Sequence, residues 1–329
     1  MHVLDAGPPG RAAADDTYAP FPVVSDARRW GLTETVVPAG GGPVVVHHRP
    51  GPAPLLMLHG VAGSWTTWTP LLHAARGAGG RGLVLVDLPG WGASPAPSTP
   101  LDVDGAVGVV VAVLDALGIG AVDVVGHSMG AFVGLHLAAT RPDRVRSLGL
   151  VSGTTVATAD AARRPLRALR TLPAFTLLRA GLAVTGDAGR TVLRTLARVG
   201  LLPLLAAPVF THVRRLDRSV LDAFVDELRP RAFTAVARAA AAYDVERWRG
   251  IACPVTAIAG RGDVFARVRD LDDLGRLVPG VRTVLLDDCG HFAHVERPTV
   301  VAGVLGLAAA ASARWTAGHR PAAVRRPGR

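Results

Sequence analysis

Short runs rich in Val and Leu recur along the chain, and their spacing constrains the fold more than any single residue does. They are TETVV (33–37), PVVVHH (43–48), PLLMLHG (54–60), GLVLVDLPG (82–90), AVDVVGHS (121–128), VRSLGLVSG (145–153), CPVTAIAG (253–260) and VRTVLLDDCGH (281–291). From the third run onward most are separated by stretches of helical length, such as Val103–Leu117 and Met129–Thr140. Nearly continuous apolar strands alternating with helices predict a mostly parallel, doubly wound, eight-stranded α/β sheet covered on both faces. The first two runs are joined by a Gly-rich turn, Gly40-Gly41-Gly42, which predicts an antiparallel hairpin at one edge.

The rhythm breaks between Thr154 and Gly250. No strand pattern occurs there, and the sequence reads as helices over roughly 160–172, 174–184, 188–201, 204–228 and 231–243, punctuated by Pro165, Pro173, Pro203, Pro208 and Pro230. The predicted organisation is an α/β core over 29–153 and 251–313, interrupted by an all-helical insertion over 154–250. Residues 1–28 lack periodicity and are expected to be a poorly ordered extension, and 314–329 a basic disordered tail. Gly77, Gly79 and Gly82 match a dinucleotide-binding spacing, but they follow a helix-like segment and lead into a strand, the reverse of what pyrophosphate binding needs. They are read as a turn, and no cofactor is expected.

With 329 residues the chain is long enough to bury a full core. No apolar run reaches the roughly 18–20 residues that span a bilayer, and the N-terminal residues do not follow a secretory-signal pattern, so a cytoplasmic location is expected. Cys253 and Cys289 stand at no metal-binding spacing, and no metal site is expected. The net charge of +10 is localised: residues 154–250 carry 16 Arg against 8 Asp and Glu, and 314–329 carry 5 Arg and no acid. A nucleic-acid partner is not expected, since no basic face with base-reading or stacking motifs accompanies the charge. Arg190, Arg194 and Arg198 fall at i, i+4, i+8, a stripe suited to an anionic carrier or surface, although a solvated helix face is the plainer reading.

The chemistry centres on GHSMG, residues 126–130. A serine on a very tight strand-to-helix turn projects its hydroxyl out of the sheet, and the crowded backbone requires neighbours nearly free of side chains. The helix beginning at Met129 also aims its N-terminal amides at an anion developing beside Ser128. A serine hydroxyl needs a base. His291, on a loop after the last strand-like run, is the best placed histidine; His294 could substitute but lies further in and is expected to make a structural hydrogen bond, and His59 and His127 are expected to pack or fix loops. The base needs an orienting carboxylate, and Asp263, in the loop after the penultimate strand, completes the order Ser128…Asp263…His291. Asp287 and Asp288 lie on the histidine's own strand end, from where reaching back is harder. For an oxyanion site the expected donors are the backbone amides of Val61, after His59-Gly60, and of Met129.

Taken together, HGVAGSW (59–65), DLPGWGAS (87–94), GHSMG, GRGD (260–263) and CGHFAHVERP (289–298) make the chain resemble the α/β-hydrolase fold family over about two-thirds of its length. The resemblance implies that Asp87 is structural, that 154–250 is the family's variable helical cap, and that the substrate is a small molecule. It points to a serine hydrolase acting on a small to medium, largely apolar ester, lactone or thioester. Serine rather than aspartate at position 128 argues against the epoxide-hydrolase and haloalkane-dehalogenase branches. Carbon–carbon bond hydrolases and cofactor-free haloperoxidases share the same triad, and a ligand-binding protein without turnover is the alternative of another class.

Overall fold

The computed structural model describes residues 17–307. Its centre is one eight-stranded sheet: β1 (Thr33–Ala39), β2 (Gly42–Arg49), β3 (Leu55–Leu58), β4 (Leu83–Val86), β5 (Val122–His127), β6 (Val145–Val151), β7 (Val255–Gly260) and β8 (Arg282–Leu286). The spatial order is β1-β2-β4-β3-β5-β6-β7-β8. β1 pairs antiparallel with β2, and β2 antiparallel with β4; every other pairing is parallel.

Central strands β3 and β4 are buried at every position. Alternate side chains pass to opposite faces. Leu56, Leu58, Val84 and Val86 join one apolar cluster, with Val109, Val113 and Leu135 of the helices Val103–Ala116 and Met129–Thr140. Leu55, Met57, Leu83 and Leu85 join the other, with Leu71 and Leu72 of the helix Thr69–Ala74 and Val301 of the helix Pro298–Val304. Two-sided burial is why these strands read as unbroken apolar runs.

The chain crosses from β3 to β4 on one side and then to β5 on the other, so strand order reverses beside β3 and β5. Crevices at the carboxyl ends of strands form at such reversals, and the segments following β3 and β5 carry His59-Gly60 and Ser128.

Between β6 and β7 the chain is helical, over Val156–Arg163, Pro165–Thr171, Pro173–Thr185, Asp187–Arg198, Leu202–Ala206, Arg218–Asp226 and Pro230–Ala242. Its side chains form an apolar cluster of their own, including Phe175, Phe210 and Phe233, which also takes in Ala62, Phe292 and Val295 from loops of the sheet. Two expected helices are divided. The stretch 160–172 breaks at Arg164, and 204–228 gives way after Ala206 to a turn and a short 3₁₀ segment before Arg218. Proline pushes its preceding residue out of the helical region: Arg164, Leu172 and Arg229, each followed by proline, have φ of −125°, −144° and −117°. On the helix Asp187–Arg198, Arg194 is held by Asp226 at 2.9 and 2.6 Å, so the arginine stripe is not three free charges.

Residues 17–28, expected to be part of a loose extension, instead pack on the core. Tyr18 is buried, its hydroxyl donates to Glu296 (2.7 Å), and Ala19 N donates to Glu296 O (2.8 Å). A single aromatic with a buried acceptor waiting for it ties down a segment that has no periodicity of its own. Residues 1–16 and the tail 314–329 lie outside the described residues. The glycines 77 and 79 form a turn of positive φ between the helix Thr69–Ala74 and β4. Among the described residues no helix is long and apolar enough to cross a membrane, and no cluster of three or more metal-ligating side chains occurs.

Candidate active site

Ser128 joins β5 to the helix Met129–Thr140 with φ 51° and ψ −114°, a left-handed conformation uncommon for a residue with a side chain. The flanking glycines make this turn fit. A Cβ on Gly130 would stand 1.9 Å from Leu58 O, and one on Gly126 would stand 2.5 Å from Gly130 O. Ser128 N donates to Val151 O (3.1 Å) and Ser128 O accepts from Thr154 N (3.3 Å), anchoring the turn to β6 and the residues just beyond it.

His291 Nε2 lies 3.0 Å from Ser128 Oγ, and its Nδ1 lies 3.0 and 2.8 Å from the two oxygens of Asp263. An ionised carboxylate only accepts, so Nδ1–H donates to Asp263 and Nε2 is left to accept the serine proton. Asp263 is itself held: its Oδ1 accepts from Phe265 N (2.8 Å) and Ala266 N (2.9 Å). The rival acids point elsewhere. Asp287 pairs with Arg261 (2.6 Å), and Asp288 with His212 (2.5 Å) and Arg297 (2.7 Å).

The histidine loop is fixed from three sides. His291 N donates to Val209 O (2.9 Å) in the helical segment, and His127 Nε2 donates to His291 O (3.0 Å). Glu296, fully buried, accepts from Gly290 N (3.0 Å), Phe292 N (3.1 Å), Thr211 N (3.0 Å) and the Tyr18 hydroxyl. Sequence reasoning passed over Glu296, Tyr18 and Val209. Only Glu296 had a local signal, a carboxylate five residues after the candidate base.

His59 Nδ1–H donates to Gly60 O (2.8 Å) and its Nε2 accepts from Leu88 N (3.0 Å), fixing the loop that carries Val61; burial pushes its pKa down to about 4. His127 is likewise held neutral, first by burial and then by the neighbouring His294 and His291. His294 departs from expectation. It lies fully buried between Trp68 and His127, with neither ring nitrogen hydrogen-bonded. Asp87 accepts from Trp65 N (2.8 Å) and Ala93 N (2.9 Å) and joins the two rim loops; burial raises its carboxyl to about 6.

A cavity of about 360 Å³ opens onto Ser128 and His291, walled largely by aromatic and aliphatic side chains such as Phe132, Phe175, Phe233 and Phe265. Among the described residues, no Arg, Asp or Glu lines it. Val61 and Met129 are in its wall, and neither backbone N–H donates to a carbonyl among the described residues. Met129 N belongs to the first helical turn, whose amides have no intrahelical partner. The arrangement joins a serine hydroxyl, an imidazole and a carboxylate in one hydrogen-bonded chain, with two backbone amides beside an apolar chamber.

This fold is that of the α/β hydrolases. The family model of the alpha/beta hydrolase fold matches residues 53–298, and the chain belongs to that family. Lipase LipV of Mycobacterium tuberculosis is 36% identical over 125 residues, a match covering 38% of this chain and 46% of the lipase, less than half its length. A 2-hydroxy-6-oxononadienedioate/2-hydroxy-6-oxononatrienedioate hydrolase of Paraburkholderia phymatum is 31% identical over 280 residues, 78% of this chain and 89% of the relative. The structure of the enol-lactonase from Burkholderia xenovorans superposes with a TM-score of 0.64 at 22% identity, covering 83% of this chain and 99% of that one.

Proposed function

We propose that the protein is a serine hydrolase cleaving a small to medium, largely apolar ester, lactone or thioester, with Ser128, His291 and Asp263 as its triad. The observation that carries this reading is the continuous hydrogen-bond chain from Ser128 Oγ through His291 to Asp263, opening on a chamber without charged side chains. His291 Nε2 takes the Ser128 proton as Oγ attacks the substrate carbonyl, and the amides of Val61 and Met129 receive the resulting oxyanion. His291 then gives its proton to the departing oxygen or sulfur, leaving an acyl-serine. A water deprotonated by His291 attacks that acyl group, and the proton returns to Ser128 as the acid leaves. Throughout, Asp263 keeps the imidazole in the required tautomer and stabilises its cation.

A fluorophosphonate probe is expected to label the wild type and not Ser128→Ala, and hydrolysis of a panel of esters, lactones and thioesters is expected to vanish with the label. An unlabelled, folded wild type that turns over none of the panel defeats the reading.

Carbon–carbon bond hydrolysis is the second reading, favoured by the Paraburkholderia phymatum relative that matches most of the chain. The substrate that gives that relative its name is a dianion, whereas a buried carboxylate needs a cation or several donors. The charge-free chamber therefore favours the apolar ester. Product analysis separates the two, giving acid plus alcohol or acid plus ketone.

A further inference from the structure

A second apolar chamber, of about 240 Å³, lies behind the one at Ser128. It is enclosed by the loop after β4 (Trp91, Pro97), by Val103 and Ala106 of the helix Val103–Ala116, and by the alanine-rich face of the helix Pro230–Ala242. Met129, Phe132, Val236 and Ala240 belong to the walls of both chambers, so side chains alone partition them there. Phe132 is held edge-on by Tyr243 and Trp248, each at 5.1 Å between ring centroids. Met129, unbranched and with three rotatable bonds, is the most adaptable side chain of the partition. At its outer end the second chamber shares Leu101, Arg231, Ala235 and Ala239 with an open surface groove.

We propose that this chamber is a second substrate subsite, holding the far end of a medium-length aliphatic arm whose carbonyl lies at Ser128. The inference rests on the hydrolase reading of that site. Away from the rim its lining offers a polar group little beyond the unpartnered indole N–H of Trp91; at the rim stand Asp102 and Arg231, and Arg231 is already paired with Asp187 at 2.9 Å. An aliphatic chain gains from each methylene moved out of water into such a wall. Alanines at 235 and 239, where larger residues would close the space, keep the chamber open along one helix.

The test fills the chamber from either side, with Ala239→Phe from one wall and Ala106→Phe from the other, so that a folding failure in one leaves the other to decide. Folding of each variant is checked by thermal unfolding. Two p-nitrophenyl and alkyl ester series, lengthened on the acyl or on the alcohol side, are compared at butyl and dodecyl length. The long-to-short ratio of kcat/KM is expected to fall about tenfold or more in one series, as several methylenes lose their wall. A ratio within twofold of wild type in both series, in a folded variant, overturns the proposal. Calorimetric binding of 1-dodecanol, an uncharged probe, to the full chain carrying Ser128→Ala gives a readout independent of turnover. If no ester is hydrolysed, the hydrolase reading fails. Dodecanol binding that is lost on filling then still supports the chamber, and binding that is absent or unchanged on filling overturns it.

Discussion

Asp263 meets His291 Nδ1 with both carboxylate oxygens, at 3.0 and 2.8 Å, while its Oδ1 also accepts the amides of Phe265 and Ala266. That second pair of bonds decides what an amide would do in its place. In Asp263→Asn the side-chain oxygen stays with the two backbone donors, and the NH₂ group faces His291. The imidazole must then accept at Nδ1 and carry its proton on Nε2, where it cannot take one from Ser128. We expect kcat for ester hydrolysis to fall on the order of 10⁴-fold with the melting temperature little changed. A loss of less than tenfold in the folded variant contradicts this role for Asp263.

Glycines in this chain have opposite roles according to what surrounds them. Gly130→Ala forces a methyl into the Leu58 carbonyl and is expected to prevent stable folding. Gly108 is exposed within the helix Val103–Ala116, and a methyl group added there would meet nothing within 4 Å. Gly108→Ala is expected to stabilise by about 0.5–1 kcal/mol, from helix propensity alone. Denaturant unfolding of the two variants checks both directions.

Tyr18→Phe removes one donor from buried Glu296 and the acceptor of His212 N. It is expected to cost about 1–3 kcal/mol, the usual penalty for stranding buried polar groups. A change of less than about 0.5 kcal/mol in chemical denaturation, below that range, counts against residues 17–28 belonging to the folded unit.

His294 is buried without a partner, and desolvation pushes its pKa down to about 3 from 6.5. Between those values the unfolded chain binds a proton that the native protein does not, so stability is lost as pH falls from about 6.5 toward 3. By pH 5 the contribution is on the order of 2 kcal/mol. His294→Phe removes it. The melting temperature of the variant should fall less than that of wild type between about pH 8 and pH 5, and equal falls contradict the assignment.

Much of this was legible from residue order. The helix at Met129–Thr140 was readable to the residue because a glycine-flanked serine marks its start, and the eight apolar runs carried the eight strands because two-sided burial leaves no polar alternation to interpret. The division of 160–172 was missed although Pro165 stands within it. Proline is tolerated within the first turn of a helix, so the break belongs to the residue before it.

What the sequence by itself determined is local or repetitive: the alternation that builds a parallel sheet, the turn that needs Gly126 and Gly130, and the order in which Ser128, Asp263 and His291 occur along the chain. Tertiary structure decided which acid reaches His291, that Glu296 gathers the histidine loop, Thr211 and Tyr18 around one carboxylate, and that a second apolar chamber stands behind Met129 and Phe132. The physical reason is range. Periodicity and sterics act over a few residues, whereas a hydrogen bond between Tyr18 and Glu296, or a cavity shared by two helices, exists only once distant segments pack and exclude water.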